Sequence, residues 1–276
     1  MTEAVARHAP GTPSWLSLLA HDPAASQEFY HELFGWDYRR GPGPGSADPH
    51  FRALLDGNEV ACIGQMPRGR QCLPAWLPYL SADDADKAAE LVRLCGGTVG
   101  VGPLDMEGTM RVAIAADPAG ASFGIRQTDT RPGARMGGGA GTVVWNELIT
   151  HRASAVEKFY RTVFGLEAEP AGEYPGAGGG DGSGGADAEP ERLTLTAHGR
   201  IVGGVHGVGD GLPHDRGSHW LMYVEVDDTD AAARRVTELG GRVLLPPHDT
   251  PYGRTARVAD REGAPFAVVH TGRRGS

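Results

Sequence analysis

Length, composition and charge limit the class of protein before any motif is considered. The chain has 276 residues, of which 40% are hydrophobic and 22% are charged, and it contains 42 glycines and 20 prolines. These values favour one large or two modest domains with many turns and sheets, and they argue against a protein of long helices. The formal net charge is −9 and basic clusters are few, so we do not expect nucleic-acid binding.

The termini and the cysteines indicate the compartment. The first residues lack the apolar segment of a signal peptide, and no window approaches the roughly 20 apolar residues that a membrane span needs. Three cysteines, Cys62, Cys72 and Cys95, have no CxxC spacing and predict reduced thiols rather than disulfides or a zinc site. We therefore expect a cytoplasmic protein that does not contact membranes.

The predicted elements of the first half follow one another in a simple order. A strand, SWLSLLAHD, leads into an amphipathic helix, DPAASQEFYHELFG, which begins at Asp-Pro and ends at glycine. The next segment, FRALLDGNEVACIGQMP, predicts a hairpin that turns at Gly57-Asn58. A second strand, AWLPYLSA, a second helix, DDADKAAELVRLCGG, and a last hairpin with DPAG at its turn complete the half.

The second half repeats this order. FYHELFGW at residues 29–36 returns as FYRTVFGL at residues 159–166. The repeated elements are VWNELITHR, RLTLTAHGRIVGGVHGV, HWLMYVEV, DDTDAAARRVTELGG and a hairpin with DREG at its turn. Because each half contains the pattern twice, the chain predicts four βαβββ modules. A glycine-rich acidic stretch, 171–190, is found only in the second half and predicts a mobile loop.

The modules predict an α+β protein with two domains, each a curved, half-barrel sheet made from a pair of modules. The predicted first domain spans residues 12–126 and the second spans residues 142–271, with a linker at 127–141.

The order of these motifs resembles the vicinal oxygen chelate superfamily, which includes glyoxalases, bleomycin-resistance proteins and extradiol dioxygenases. The resemblance is carried by DPAASQEFYHELFGW, by the helix starts ADDAD and VDDTDAA, and by ADPAGASFGI and ADREGAPFAV at the last hairpins. It covers the chain from Trp15 to about His270. A narrower resemblance is to two-domain actinobacterial proteins, some of which accompany anthracycline and other aromatic polyketide gene clusters.

Metal enzymes of this superfamily carry His, Gln and Glu ligands on strands that face a cavity. The resemblance puts those positions at Trp15, Leu77 and Gly124 in the first half and at Trp145, Leu221 and Ala267 in the second. None of these side chains coordinates a divalent cation. We therefore expect no metal site and no cofactor. A separate cluster, His206, His214, Asp215 and His219, has donor atoms but no known zinc spacing, and surface histidines explain it as well.

Strand alternation predicts what faces the cavity instead, because residues two apart point the same way. The candidate ligand-binding residues are Trp15, Ser17, Leu77 and Tyr79 in the first half and Trp145, Glu147, His219, Leu221 and Tyr223 in the second. Such walls suit a planar aromatic guest. The same Trp and Tyr residues would also serve as ordinary core.

Glu147 is exceptional because it interrupts an apolar strand, VVWNELI. A buried carboxylate requires a structural partner such as an arginine, a raised pKa, or a ligand that pairs with it. If Glu147 is functional, it would act as a general acid or base, with His219 as the candidate second group, or would anchor a ligand amine.

Three functions remain open. The first is a metal-independent binding protein that binds or sequesters an apolar aromatic compound, such as an anthracycline-like polyketide; the acidic net charge weakly favours a cationic guest. The second is a tailoring enzyme or accessory factor in aromatic polyketide oxidation, or a glyoxalase-like lyase, that uses Glu147 as acid or base. The third is a partner-binding protein whose cavities have filled in. The sequence also allows a homodimer.

Overall fold

A computed structural model describes residues 8–41, 50–66, 73–106, 110–128, 134, 137–171, 192–209, 212, 217–250 and 253–272. Within these ranges the chain forms sixteen strands and four helices. The elements of the first half are β1 (Pro13–Ala20), α1 (Pro23–Phe34), β2 (Asp37–Arg40), β3 (His50–Leu55), β4 (Asn58–Gln65), β5 (Trp76–Ser81), α2 (Ala85–Leu94), β6 (Thr98–Met106), β7 (Met110–Ala116) and β8 (Ser122–Thr128). Those of the second half are β9 (Val143–Thr150), α3 (Ala153–Phe164), β10 (Glu167–Pro170), β11 (Arg192–Ala197), β12 (Arg200–Gly207), β13 (His219–Glu225), α4 (Thr229–Glu238), β14 (Arg242–Thr250), β15 (Gly253–Ala259) and β16 (Pro265–His270).

The strands confirm the predicted α+β fold of four βαβββ modules. The first sheet has the order β2-β3-β4-β1-β5-β8-β7-β6, and the second repeats it as β10-β11-β12-β9-β13-β16-β15-β14. In each sheet the two modules meet where their first strands pair antiparallel, β1 with β5 and β9 with β13. The described strands close neither sheet into a barrel.

Four strands lie in segments to which the sequence patterns assigned no element: β2, β10, β6 and β14. The short strands β2 and β10 are mostly exposed and occupy one edge of their sheets, and β6 and β14 occupy the other edge. Edge strands bury little apolar surface, so their sequences lack the clear alternation of a half-buried strand.

The helix boundaries follow the predicted capping signals only in part. The Asp22 carboxylate accepts hydrogen bonds from the amides of Ala24 and Ala25, both at 3.1 Å, and starts α1. Helix α3 begins after Arg152, which makes no side-chain cap. Both helices end at a glycine in the left-handed conformation, Gly35 and Gly165, with φ of 72° and 68°.

The hydrophobic cores join the two halves. One core contains apolar residues of the first module together with residues of the fourth, and the other contains residues of the second and third modules. Strands of the first sheet lie within 13–128 and those of the second within 143–270. Each sheet therefore belongs to one half of the chain, whereas each core needs both halves. The exact domain boundaries, 12–126 and 142–271, stay a prediction.

The repeated Phe-Tyr pair supplies the polar centre of each core. In one core the Tyr30 hydroxyl accepts a hydrogen bond from Trp76 Nε1 at 2.8 Å and donates one to Asp260 Oδ2 at 3.0 Å. In the other, the Tyr160 hydroxyl bonds to Trp220 Nε1 and to Asp117 Oδ2, at 3.1 and 3.2 Å.

The two aspartates also accept backbone hydrogen bonds within the last hairpin turns. Burial raises the pKa of both carboxyl groups, Asp117 and Asp260. The repeated Phe-Tyr pair therefore has a structural role, because the tyrosine of each copy links its helix by a hydrogen bond to a hairpin turn in the other half.

The predicted linker is hydrogen-bonded to both halves where it is described. The Ala134 amide donates to the Ser14 carbonyl, and the Gly141 amide donates to the Glu225 carbonyl, both at 2.8 Å. Trp36 Nε1 in turn donates to the Gly141 carbonyl at 2.8 Å. The glycine-rich stretch 171–190 lies outside the described residues except for residue 171. No helix in the described part of the chain has the length and apolarity that crossing a membrane requires.

Candidate functional site

The central strands of the first sheet bring three of the four predicted residues to one cavity. Trp15 on β1 lies opposite Tyr79 on β5, and Ser17 lies opposite Leu77. Trp15, Ser17 and Tyr79 line a cavity of about 90 Å³ that is partly open to solvent. The Ser17 hydroxyl donates to the Tyr79 hydroxyl oxygen at 3.3 Å. Leu77 is buried beside them, but it is not among the residues that line the cavity.

The remaining walls combine flexible apolar and charged side chains. The sequence patterns singled out none of these residues as ligand-contacting. They are His50, Arg52, Glu59, Cys62, Met106, Met110, Val112 and Arg126. Strand parity would have found one of them, because Cys62 lies beside Ser17 in the parallel pairing of β4 with β1. Methionines at a cavity wall adapt to guests of different shape because their side chains are unbranched and polarisable.

Two buried arginines determine the electrostatics of this cavity. Arg52 Nη1 lies 2.5 Å from Glu59 Oε1, and the same oxygen is 3.2 Å from Arg39 Nη2. Arg126 is 3% exposed, and its guanidinium carbon lies 5.6 Å from the centre of the Trp15 ring. This distance is typical of a cation–π interaction. The cavity wall is therefore aromatic and locally cationic in a protein of negative net charge.

In the second half, the equivalent face is packed with apolar side chains. Trp145 lies opposite Tyr223, and Glu147 lies opposite Leu221. Leu221, Tyr223 and neighbouring side chains from β9 and β16 form a buried cluster, against which Trp145 packs. These contacts are those of core residues, and a ligand-binding role of Trp145, Leu221 and Tyr223 stays a prediction.

Glu147 is the charged centre of that packed face, and it is 4% exposed. Its Oε2 accepts a hydrogen bond from the Tyr223 hydroxyl at 2.7 Å. Arg192 Nη1 lies 3.6 Å from Oε1, and Arg257 Nη2 lies 3.9 Å from Oε2. Burial raises the pKa of Glu147, while Arg257, the Tyr223 hydrogen bond and Arg192 act to lower it. Structural arginine partners and a raised pKa, two of the three expected outcomes, are thus both present.

The histidines near Glu147 behave differently from one another. His206 on β12 is 7% exposed, and its Nδ1 has no hydrogen-bond partner among the described residues. Burial, followed by the charges of Arg192 and Arg257, lowers the pKa of His206 to about 3. His219 Nδ1 lies 2.9 Å from the Gly217 carbonyl oxygen. The other members of the predicted cluster, His214 and Asp215, lie outside the described residues, and a catalytic role of His219 stays a prediction.

The side chains at the chelating positions do not fit a divalent metal ion. Tyr79 pairs with Gly124, and a Cβ added at Gly124 would overlap the Tyr79 ring. In the second sheet Tyr223 pairs with Ala267. An aromatic ring thus occupies the space beside the last chelating position of the first half, and the side chains at the six chelating positions themselves offer no metal-coordinating atom. The described residues include no group of three His, Cys, Asp or Glu side chains placed to hold a metal ion.

The chain has paired βαβββ modules and a cavity on the central strands of a sheet. Comparison with known proteins identifies the family that has this architecture. The model of the Glyoxalase/Bleomycin resistance protein/Dioxygenase superfamily matches residues 12–125 and 142–268. The chain belongs to this superfamily.

Individual relatives resemble the chain over nearly its whole length. It is 35% identical over 276 residues to the anthracycline biosynthesis protein DnrV of Streptomyces peucetius, covering 95% of this chain and 94% of DnrV. It is 33% identical over 262 residues to CFP32 of Mycobacterium tuberculosis (strain CDC 1551 / Oshkosh), a protein provisionally named a glyoxylase, covering 94% of each. The Mn(II)-bound glyoxalase of Novosphingobium aromaticivorans shares the fold, with a TM-score of 0.59 and 15% identity, over 96% of this chain and 85% of that one.

Proposed function

We propose that the chain is a metal-independent small-molecule-binding protein that holds an apolar aromatic compound in the cavity of the first half. The main support for this proposal is the composition of the cavity wall. Trp15 and Tyr79 lie on paired central strands, and two methionines contribute to the apolar lining. Concave, largely aromatic sites with a few polar groups are the usual form of a ligand pocket. The similarity to the anthracycline biosynthesis protein DnrV supports an anthracycline-like polyketide as one guest. Sequestration of such a guest is part of the proposal.

The size of the cavity limits how a guest enters. Its volume of about 90 Å³ is below the roughly 150 Å³ of a cavity that accommodates benzene. A polycyclic guest would therefore insert one ring edge and displace Met106 and Met110. If about 300 Å² of guest surface is buried, the gross gain is roughly 7 kcal/mol at 25 cal/mol/Å². Since association costs offset much of this gain, we expect micromolar dissociation constants.

Isothermal titration of protein dialysed against EDTA tests this proposal. A naphthalene series and an anthracycline are titrated into the native chain, into Trp15→Leu and into Trp145→Leu, the same change at the equivalent position of the second half. We expect binding without metal and at least a tenfold loss confined to Trp15→Leu. No heat with any compound would refute the proposal, and a loss that followed Trp145→Leu would move the site to the second half.

One observation favours an enzyme as the second candidate. Burial raises the pKa of Glu147, which suits a carboxyl group that donates or accepts a proton. Its contacts with Tyr223, Arg192 and Arg257 equally suit a structural ion cluster. Catalysis by Glu147 requires that Glu147→Gln abolish turnover while the melting temperature stays unchanged.

A further inference from the structure

The cavity of the first half contains a charge arrangement that the net charge of the chain does not suggest. Its lining includes two guanidinium groups, Arg52 and Arg126, and one carboxylate, Glu59. That carboxylate already lies within ion-pair distance of Arg52 and of a further cation, Arg39. Two arginines and one carboxylate thus stand among the described residues that line the cavity, although the whole chain has a formal charge of −9.

Arg126 is the cation best placed to contact a guest. It lies on β8, two residues beyond Gly124, and is only 3% exposed. Its guanidinium carbon sits 5.6 Å from the Trp15 ring centre, so the charge and the aromatic wall are adjacent. The influence of Arg126 extends to its surroundings, because it adds to burial in lowering the pKa of His8. A buried cation in a cavity wall acts strongly on a guest, since the screening by water is reduced.

We propose that Arg126 is a specificity-determining residue, which selects aromatic guests that carry an ionised oxygen, such as an aryl carboxylate or a phenolate, over aromatic amines. This inference rests on the proposed binding function and deepens it. The planar guanidinium donates hydrogen bonds to a carboxylate or phenolate oxygen, while the Trp15 and Tyr79 rings contact the ring of the guest. An ammonium group in the same position would be repelled by the Arg126 guanidinium. The charge preference is thus opposite to the one that the net charge of the chain favours.

Three naphthalene derivatives of similar size separate charge from shape: naphthoate, naphthylmethanol and naphthylmethylamine. Each is titrated calorimetrically into the full-length native protein at low and at high salt. We expect naphthoate to bind at least tenfold more tightly than the alcohol and the amine to bind most weakly, with the preference reduced at high salt.

Two further variants assign the preference to Arg126. In Arg126→Gln the carboxylate and the alcohol should bind with similar affinity, and Arg126→Lys should retain part of the preference because it keeps the charge. Arg111→Gln is the matched control: Arg111 lies on the neighbouring strand β7, pairs with Asp86 and Asp105, and is not among the residues that line the cavity. It should bind like the native protein.

The outcomes distinguish this inference from the proposed function. If the native protein binds all three compounds equally, or prefers the amine, the charge selection is wrong while aromatic binding stands. If Arg111→Gln loses the preference as fully as Arg126→Gln, overall charge is responsible and Arg126 is not. If none of the three compounds binds but the anthracycline does, the charge selection is wrong while aromatic binding stands. If the anthracycline also gives no heat, both proposals fail. Where Arg126→Gln does not fold, the ranking on the native protein still tests the charge selection, and Arg126→Lys tests its assignment to Arg126, since an unchanged preference there would overturn the role of the planar guanidinium.

Discussion

The most informative single substitution for the fold is Tyr30→Phe, because it removes one hydroxyl that joins the two halves. Tyr30 is fully buried, and its hydroxyl accepts a hydrogen bond from Trp76 Nε1 and donates one to Asp260 Oδ2. Phenylalanine keeps the ring, and with it the stacking on Trp36 at a centroid distance of 5.6 Å. The change therefore isolates the hydrogen bonds from the packing.

The magnitude follows from the groups that lose a partner. The Trp76 N–H and one Asp260 oxygen would both be left buried, and each such group costs about 1–3 kcal/mol. Asp260 keeps its hydrogen bonds from the amides of Glu262 and Ala264, at 3.0 and 2.8 Å. These bonds limit the free-energy cost of leaving its other oxygen without the Tyr30 hydroxyl. We expect Tyr30→Phe to lower the free energy of unfolding by about 3 kcal/mol, within a range of roughly 2–5.

Tyr38→Phe is the matched control. The Tyr38 hydroxyl is also buried, but it has no hydrogen-bond partner among the described residues. Its removal should change the free energy of unfolding by less than about 0.5 kcal/mol, or should stabilise the protein. Urea denaturation followed by circular dichroism measures both variants, with the m value unchanged. Equal losses in the two variants, or no loss in Tyr30→Phe, would refute the assignment of Tyr30 as a cross-half link.

Three further predictions concern the charged cluster and the cavity. Because burial outweighs the two arginines and raises the pKa of Glu147, the neutral amide of Glu147→Gln should leave the free energy of unfolding in urea unchanged or higher, with ligand affinity unchanged; a large loss of stability would show that the ionised carboxylate holds the cluster together, and a loss of turnover would favour the catalytic alternative. Burial and the charges of two arginines lower the pKa of His206 to about 3. His206 therefore stays neutral in the folded protein, whereas in the unfolded chain it is protonated below about pH 6.5. The native protein should therefore lose about 1.4 kcal/mol of stability per pH unit relative to His206→Gln as pH falls from about 6 to 4, and parallel pH profiles of unfolding would contradict this. Gly124→Ala places a methyl group against the Tyr79 ring and should cost roughly 1–3 kcal/mol together with a several-fold loss of affinity for naphthoate; native affinity would show that the ring does not form the binding wall.

The order of elements was predictable because it depends on local signals that the chain writes twice. Asp-Pro at the start of α1, the glycines that end α1 and α3, and the hairpin turns are short-range features, and all but Asp-Pro recur in the second copy. Residue parity on β1 and β5 likewise predicted that Trp15, Ser17 and Tyr79 share a face. These inferences need only the geometry of one strand or one helix.

Contacts between distant segments were not predictable in this way. The partners of Glu147 come from three other strands, with Arg192 on β11, Tyr223 on β13 and Arg257 on β15. Nothing in the spacing of these residues indicates that their side chains converge. The same limitation hid the link between Tyr30 and Asp260, which lie 230 residues apart. The sequence showed that Glu147 needs a partner but not which residue supplies it.

The asymmetry between the halves also depends on tertiary packing. Trp15 and Trp145 occupy equivalent positions, and so do Tyr79 and Tyr223. In the first half Ser17 stands where the second half has Glu147, and a cavity lies beside it. In the second half the Glu147 carboxylate lies near Arg192 and Arg257, beside a cluster of apolar side chains. Among the described residues, Trp15 and Tyr79 therefore line a cavity, whereas Trp145 and Tyr223 pack in an apolar cluster.

Anomalous diffraction from crystals soaked in bromonaphthoate tests the central claim most directly. The account predicts a bromine peak beside Trp15 and Tyr79 in the first half, at the cavity that Arg126 lines, in protein freed of metal by EDTA. A bromine peak in the second half beside Trp145, or a stoichiometric divalent ion on the central strands of either half, would contradict it.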